Sequence, residues 1–245
     1  MVFVHPRSMG IRRFVGEDER IQRGSIRSPD TTMYTELHLH TAFSFLDGSS
    51  LPEDLVNQAV RLGYRSLAIT DHDGVHGAME FARMADAAGI TPITGAEITL
   101  ADGSHLTLLA ESRTGYGNLC RLLTNLHHGR PPLPAMLDEG DDQEETNDTE
   151  SDRILSHLRD YAEGLILLTG CRNGQLARLV DAGRFADAKR VLDQYIAWFG
   201  KDNVFVELQQ NFVFGDTPRI AHLAPGEGDV VPGRLREKRA DHRLA

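Results

Sequence analysis

Two histidines lie one residue apart in the first strand-like run of the chain, Glu36-Leu37-His38-Leu39-His40. In an extended strand alternate side chains point to the same face, so His38 and His40 would share one face and the two leucines the buried opposite face. Two imidazoles on one face form half of a metal site, because neutral imidazole is a good ligand for Zn²⁺, Mn²⁺ and Fe²⁺. Taken alone, the pair could equally be two polar residues on a half-exposed strand.

Four further strand-like runs each carry a possible metal ligand at one end. Asp71-His72 follows residues 66–70, Glu97 follows 92–96, His105 begins 105–110, and Cys171 follows 165–170. The carboxyl ends of parallel strands meet at one edge of a sheet or barrel. His105 begins a strand that returns after the turn residues 102–103, which brings it to the same edge. The ligand candidates at this edge, with Asp47 from the loop after the first run, are His38, His40, Asp47, His72, Glu97, His105 and Cys171.

This donor set exceeds what one tetrahedral ion needs and suits two or three ions that share a bridging carboxylate, for which Glu97 is the best candidate. Histidine and carboxylate ligands favour Zn²⁺ or Mn²⁺ over Ca²⁺. Multinuclear sites of this kind typically hydrolyse phosphate esters or amides. Two residues have simpler readings: Asp71 could cap the next helix or orient His72 from behind, and Cys171 could be a small buried hydrophobe.

The composition excludes few functions. A length of 245 residues fits one α/β barrel or one to two smaller domains, and 40% hydrophobic residues suffice for a sizeable core. The net charge of −10 comes almost wholly from residues 138–152, which hold nine acidic residues and no basic one; the remainder has 27 acidic and 26 basic residues. Global charge therefore argues neither for nor against nucleic-acid binding.

The sequence predicts a cytoplasmic protein that does not enter a membrane. No stretch resembles a membrane span or a secretory signal. Two cysteines, Cys120 and Cys171, do not suggest a disulfide framework, which favours a reducing compartment.

Strand patterns alternate with helix patterns over most of the chain, which predicts an α/β fold with a parallel sheet or barrel. Predicted strands are 34–40, 66–70, 92–100, 105–110, 165–169 and 204–208, and predicted helices are 52–62, 75–88, 114–126, 154–162, 174–180 and 185–199. Residues 1–33 are expected to be a disordered leader, 34–220 the folded domain, 129–152 an acidic surface insertion and 221–245 a disordered tail.

Five segments together resemble the PHP (polymerase and histidinol phosphatase) domain, most closely the amino-terminal domain of error-prone bacterial DNA polymerase III alpha subunits. They are His38-Leu39-His40, Phe45-Leu46-Asp47-Gly48, Ile69-Thr70-Asp71-His72-Asp73-Gly74, Gly95-Ala96-Glu97 and Gly164 to Cys171. Residues 115–120 and 203–208 add to the resemblance to the error-prone branch. The resemblance covers about residues 34–220, and its ordered set of motifs is far more specific than any one of them.

The resemblance implies a distorted (β/α)7 barrel with a cleft for three metal ions and metal-dependent phosphoester hydrolysis, including 3′–5′ exonuclease action within DNA replication and repair. It places His38, His40, Asp47, His72, Glu97, His105 and Cys171 as ligands to two or three Zn²⁺ or Mn²⁺ ions. Glu97 and His72 would also act in the reaction itself. The implied partners are DNA or another phosphoester substrate and the remainder of a polymerase.

One family feature is missing from the sequence. The family carries a last ligand pair, Asp-x-His or Asn-x-His, near the end of the domain, and no such pair follows Leu208; Asp241 and His242 are adjacent. The polymerase domains are also absent. The chain therefore resembles a polymerase amino terminus cut short or frameshifted near residue 220. We expect a barrel that lacks its last strand or strands and two weakened metal positions.

Four functions remain open at this point, and enzymatic activity itself is undecided. The first is a metal-dependent phosphoesterase of the PHP type, favoured by the nearly complete ligand set. The second is a non-catalytic scaffold fragment with an incomplete metal site, favoured by the missing pair. The third is a standalone small-molecule phosphatase, against which the polymerase-like segments 96–97 and 169–171 argue. The fourth is a binding protein whose histidines are structural.

Overall fold

The computed structural model describes residues 2–4, 34–128, 150–209 and 216–223. Six strands and seven helices lie in these ranges. The strands are β1 (Val2–Val4), β2 (Ser66–Ile69), β3 (Thr91–Thr99), β4 (His105–Ala110), β5 (Leu165–Leu168) and β6 (Val204–Leu208). The helices are α1 (Pro52–Arg61), α2 (Ala78–Ala87), α3 (Arg113–His128), α4 (Glu150–Asp160), α5 (Gln175–Asp181), α6 (Phe185–Phe199) and α7 (Asp216–Leu223).

The strands form one mixed sheet in the order β1-β6-β5-β4-β3-β2. β2 pairs with β3 and β5 with β6 in parallel, whereas β3–β4, β4–β5 and β1–β6 are antiparallel. The antiparallel β3–β4 pair confirms the hairpin expected from the turn residues 102–103, with Thr99 opposite His105. As a result, the start of β4 and the ends of β2, β3, β5 and β6 lie at one edge of the sheet.

The two faces of the sheet pack into separate apolar clusters. Alternate residues of β3 to β6 pack outward, where the larger cluster includes residues of α3 to α7. On the opposite face a smaller cluster joins residues from β2, β4, β5, β6 and the segment before β2: Leu37, Ala68, Leu109, Ile166, Leu168 and Phe205. The strands β2 and β6 lie toward opposite sides of the sheet, yet both contribute residues to this cluster. The sheet must therefore curl around the cluster, as in a barrel interior.

The curled sheet confirms the predicted fold class, a distorted α/β barrel, and among the described residues no strand follows β6. Within the described ranges β2 and β1 are the two edges of the sheet and do not pair with each other. In the described part of the chain, no helix is long and apolar enough to cross a membrane.

The predicted first strand is the largest local difference between expectation and structure. Residues 34–40 bend at His38 and form no regular strand. They still run beside β2, where the amide N–H groups of Ala68 and Thr70 donate to the carbonyls of Glu36 and Leu39 at 2.9 and 2.8 Å. The segment therefore covers the edge of β2 while both histidines reach the ligand-bearing end of the sheet.

The ends of the chain also differ from the expected boundaries. Val2–Val4 form β1 inside the expected leader, and α7 continues to Leu223, three residues into the expected tail. Arg219 of α7 pairs with Asp181 of α5 at 2.7 Å, an ion pair that holds α7 against α5. α4 begins at Glu150, within the expected insertion. The rest of the predicted leader, insertion and tail, residues 5–33, 129–149 and 224–245, lies outside the described residues.

Candidate metal centre

Strand ends and two loops bring all seven predicted ligands together at one end of the curled sheet. His38 and His40 come from the segment beside β2, Asp47 from the loop after it, and His72 from the residues after β2. Glu97 lies on β3, His105 begins β4 and Cys171 follows β5. The inward alternation that places Leu109 and Phe205 in the barrel interior places Glu97 and His105 at its end.

Glu97 is the centre of the cluster. Its carboxylate is fully buried and its Oε2 lies 3.0 Å from His38 Nε2 and 2.7 Å from His40 Nε2. The second oxygen, Oε1, lies 3.1 Å from His105 Nδ1 and 3.7 Å from Cys171 Sγ. With His72 Nε2 at 3.7 Å from Oε2, one carboxylate faces four imidazoles and a thiol, which is the position that the sequence assigned to a bridging ligand.

Asp47 and His72 form the open side of the cluster. Asp47 Oδ2 lies 2.8 Å from His72 Nε2 and 3.1 Å from His40 Nδ1. The Asp47 side chain is 56% exposed, whereas that of Glu97 is 0% exposed. The four imidazole rings follow one another, with centroid distances of 5.3 Å from His38 to His40, 4.5 Å to His72 and 5.0 Å to His105. The cluster therefore extends from a buried carboxylate to solvent.

The electrostatics of the cluster favour a negative charge on Glu97 and positive charges on His38 and His105. Burial opposes ionisation of Glu97, but hydrogen bonds from His105 and His38 and the close approach of His40 hold its pKa well below the usual range. Burial likewise opposes protonation of His38, yet Glu207 and Glu97 raise its pKa well above the usual value. Hydrogen bonds with Cys171 and Glu97 raise the pKa of His105 to about 9. Without metal, protons on His38 and His105 therefore balance the charge of the buried carboxylates.

The geometry of His40 fits a metal better than a hydrogen bond. His40 Nε2 is buried and lies 2.7 Å from Glu97 Oε2, but its orientation gives no hydrogen bond to any partner. Two metal-ligand atoms that lie close together without forming a hydrogen bond are expected where both are directed at the same cation. Three triads of donors lie within 4.8 Å of one another: His38-His40-Glu97, His40-Asp47-His72 and His72-Glu97-His105. Imidazole and carboxylate donors at this spacing fit Zn²⁺ or Mn²⁺.

Asp71 is the residue that shapes the loop carrying Asp47. Its buried carboxylate accepts hydrogen bonds from the Thr41 amide at 2.7 Å, from Thr41 Oγ1 at 2.8 Å and from Ser44 Oγ at 2.6 Å. Ser44 Oγ also accepts from the His72 amide at 3.1 Å. Asp71 thus orients His72 indirectly, through Ser44, and does not cap a helix.

The same loop needs glycine directly after Asp47. A Cβ atom on Gly48 would lie 1.9 Å from the carbonyl oxygen of Thr41, so no other residue fits there without a backbone shift. Leu46 has a φ of 68°, a left-handed conformation that costs a leucine about 1 kcal/mol or more. The loop therefore holds Asp47 in place through a tight backbone fold.

Asp71→Asn is expected to lower the free energy of unfolding of the metal-free protein by about 2–3 kcal/mol, because a buried charge-assisted acceptor of three hydrogen bonds is replaced by an amide. Urea denaturation followed by circular dichroism measures this loss. The exposed Asp86→Asn on α2 is the matched control and should change stability little. An equal effect of both substitutions would show that Asp71 does not hold the loop.

Sequence reasoning missed Glu207 of β6. Its carboxylate is buried, and its Oε1 lies 2.8 Å from His38 Nδ1, on the opposite side of the ring from Glu97. The available signal was a single acidic residue within the apolar strand pattern of residues 204–208, on the same face as Phe205. An acid at an inward strand position needs a buried partner, and His38 is that partner.

Fold and site together define the class of protein: a curled α/β sheet that carries a cluster of metal-type ligands at one end. The PHP domain family matches residues 36–211, which is most of the chain. The chain therefore belongs to the PHP domain family, which confirms the resemblance inferred from its motifs.

Similar proteins include long bacterial polymerases. An error-prone DNA polymerase of Symbiobacterium thermophilum is 44% identical over 171 residues, covering 68% of this chain and 15% of that protein. One from Mycolicibacterium paratuberculosis is 35% identical over 239 residues, covering 89% of this chain and 20% of that protein. A DNA polymerase III subunit alpha of Treponema pallidum is 35% identical over 193 residues, 73% of this chain and 15% of that protein. The chain thus spans no more than a fifth of the length of these curated relatives.

Among solved structures, similarity is weaker. A two-domain protein from Bacteroides vulgatus, described as containing a predicted PHP-like metal-dependent phosphoesterase, is 18% identical with a TM-score of 0.38. The match covers 67% of this chain and 47% of that one. This overlap is too low to bear on function.

Proposed function

We propose that this PHP domain hydrolyses phosphoesters with the help of two or three Zn²⁺ or Mn²⁺ ions bound at the cluster around Glu97. The observation that carries the proposal is the convergence of four histidines, a second carboxylate and a thiol around the buried carboxylate of Glu97 at the open end of the barrel. If the histidines were only structural, the buried His40 Nε2 would be expected to have a hydrogen-bond partner, and it has none.

The ligands fall into a buried and an exposed part. His38, His40, Glu97, His105 and Cys171 would hold ions on the buried side, and Asp47 and His72 would complete the site at the solvent side. Bound ions of this kind make a water nucleophilic at neutral pH and neutralise charge on the phosphoryl oxygens.

Glu97 and His72 have different roles in the proposed reaction. Glu97, at 0% exposure, keeps three imidazoles directed to the cluster and supplies the buried negative charge that attracts cations. His72, whose side chain is 23% exposed, lies beside Asp47 on the solvent side of the cluster, where it would face the phosphate of a bound substrate. These are the two residues that we assign to the reaction itself in addition to metal binding.

The substrate class follows from the relatives. Because the similar proteins are error-prone DNA polymerases and a DNA polymerase III alpha subunit, we assign the activity to the phosphodiester bonds of DNA, as a 3′–5′ exonuclease in replication or repair. The partner would be the remainder of a polymerase. A cytoplasmic location is part of the same proposal.

A second candidate function is a non-catalytic scaffold with a partial metal site. The specific observation in its favour is that residues 209–245 contain no Asp-x-His or Asn-x-His pair. The scaffold would retain metal on the His38-His40-Glu97 triad but would not turn over substrate. Metal content and turnover together separate the two functions.

The decisive experiment measures metal content by elemental mass spectrometry and hydrolysis of an aryl phosphodiester with added Mn²⁺. The wild type is expected to hold at least two ions and to hydrolyse the substrate, while His38→Ala combined with His40→Ala loses both. The double variant should keep most of its helical circular dichroism signal, because neither imidazole lies in a helix. Bound metal without turnover would support the scaffold, and metal content unchanged in the double variant would refute the site.

A further inference from the structure

A buried carboxylate lies behind the metal cluster and belongs to none of its donor triads. Glu207 is 2% exposed and projects from β6 toward His38, where Oε1 accepts a hydrogen bond from Nδ1 at 2.8 Å. Gln209 Nε2 donates to the same oxygen at 2.5 Å, and Thr107 Oγ1 lies 3.3 Å from His38 Nδ1. On the other side of the ring, His38 Nε2 lies 3.0 Å from Glu97 Oε2. His38 is therefore held between two buried carboxylates.

We propose that Glu207 is a positioning residue that keeps the proton of His38 on Nδ1 and so leaves Nε2 as the atom that binds metal. An imidazole can present a lone pair on only one nitrogen while the other carries hydrogen. A carboxylate on Nδ1 fixes that choice, orients the ring and makes Nε2 a stronger donor. This inference rests on the proposed metal-dependent function, since it assigns a role toward the same ions.

A purely structural role does not account for Glu207. The second oxygen, Oε2, is buried and has no hydrogen-bond partner. Phe205, the neighbouring inward-facing residue on β6, belongs to an apolar cluster that also contains Leu168 of β5. A leucine would fill this place without burying an unpaired oxygen. What a leucine cannot do is accept the Nδ1 proton of His38.

The test compares Glu207→Leu and Glu207→Gln with the wild type. Stepwise Zn²⁺ affinity is measured by competition with a chromophoric chelator, and melting temperature by circular dichroism. Glu207→Leu is expected to weaken one binding step roughly 10–100-fold and to lower the melting temperature without metal, because it leaves the buried His38 without this carboxylate partner. The step that involves Asp47 and His72 should change little, because neither residue contacts Glu207. Glu207→Gln keeps an acceptor for Nδ1 and should lose only several-fold. The exposed Glu111→Gln is the matched control and should bind like the wild type.

A second readout does not require metal. In the metal-free wild type the Nδ1 proton of His38 should give a downfield, hydrogen-bonded signal in long-range ¹H–¹⁵N spectra, and Glu207→Leu should remove it. Wild-type Zn²⁺ affinity in Glu207→Leu, or in Glu207→Gln should the leucine variant not fold, would overturn the inference, as would an unchanged Nδ1 signal. If the wild type bound no metal, the proposed function would fail by a separate observation, and the loss of positioning could still be read from the Nδ1 signal.

Discussion

Glu97→Gln is expected to lower metal-dependent phosphodiester hydrolysis by at least about a thousandfold, because metal ions supply several kcal/mol of transition-state stabilisation and about 1.4 kcal/mol corresponds to each factor of ten. The carboxylate contacts His38 and His40 through one oxygen and His105 through the other, so its charge is shared by most of the cluster. An amide presents a single oxygen and no charge, and should release at least one ion. Elemental mass spectrometry and kcat/KM for an aryl phosphodiester measure the two effects.

The control for this prediction is Glu111→Gln, which removes the same charge from an exposed position. Circular dichroism must show that Glu97→Gln folds, since removing a buried counter-charge from three histidines also destabilises the metal-free state. Retention of activity to within tenfold, in a folded variant, would contradict the central position assigned to Glu97. Loss of activity with full metal content would instead restrict Glu97 to the reaction itself.

The ligand cluster could be predicted from the sequence because paired strands bring their ligand-bearing ends to the same edge of the sheet. Glu97, His105 and Cys171 were each identified from the end of an apolar run, and a single parallel or antiparallel pairing brought each to the same edge. The turn at 102–103 gave the direction of β4, and hence the side on which His105 lies. The structure places all of these side chains within one cluster, although their role as ligands stays a prediction.

Features that depend on long-range pairing were not predictable in the same way. β1 has only three residues, and its pairing with β6 spans about two hundred residues of sequence, so no local pattern indicates it. Residues 34–40 have the alternation of a strand, but the bend at His38 prevents a regular ladder. Glu207 looked like an ordinary strand residue until its partner, 169 positions earlier in the chain, was known. In each case the deciding contact lies far away in sequence.

The charge state of the metal-free cluster predicts how its stability depends on pH. The pKa of His105 is raised to about 9 from the ordinary 6.5, so its contribution to stability is complete below pH 6.5 and is lost as the pH rises toward 9. The pKa of His38 is raised as well, and its contribution is lost in the same direction. The pKa of Glu97 is depressed, so its contribution is present above about pH 4.5 and lost in acid. Without metal, the cluster should therefore stabilise the fold most between pH 4.5 and 6.5.

Metal should reverse the upper part of this profile, which gives the second large effect. Metal ions compete with the protons on His38 and His105, so binding tightens as the pH rises from 6.5 to 9. At pH 8.5, with Mn²⁺ at a thousand times its Kd, we expect about 4 kcal/mol of stabilisation and a rise in Tm of roughly 10 °C. At pH 6 the same Mn²⁺ concentration should raise Tm far less. Thermal melts with EDTA and with Mn²⁺ at both pH values measure this difference.

The variant with both His38 and His40 replaced by alanine separates this effect from general cation binding. It removes the two imidazoles that share Glu97 Oε2, so its Tm should respond to Mn²⁺ little at either pH. An equal rise in Tm at pH 6 and pH 8.5 in the wild type would mean that the ions do not displace the histidine protons. Metal would then bind elsewhere, and the cluster around Glu97 would be held together by its protonated histidines alone.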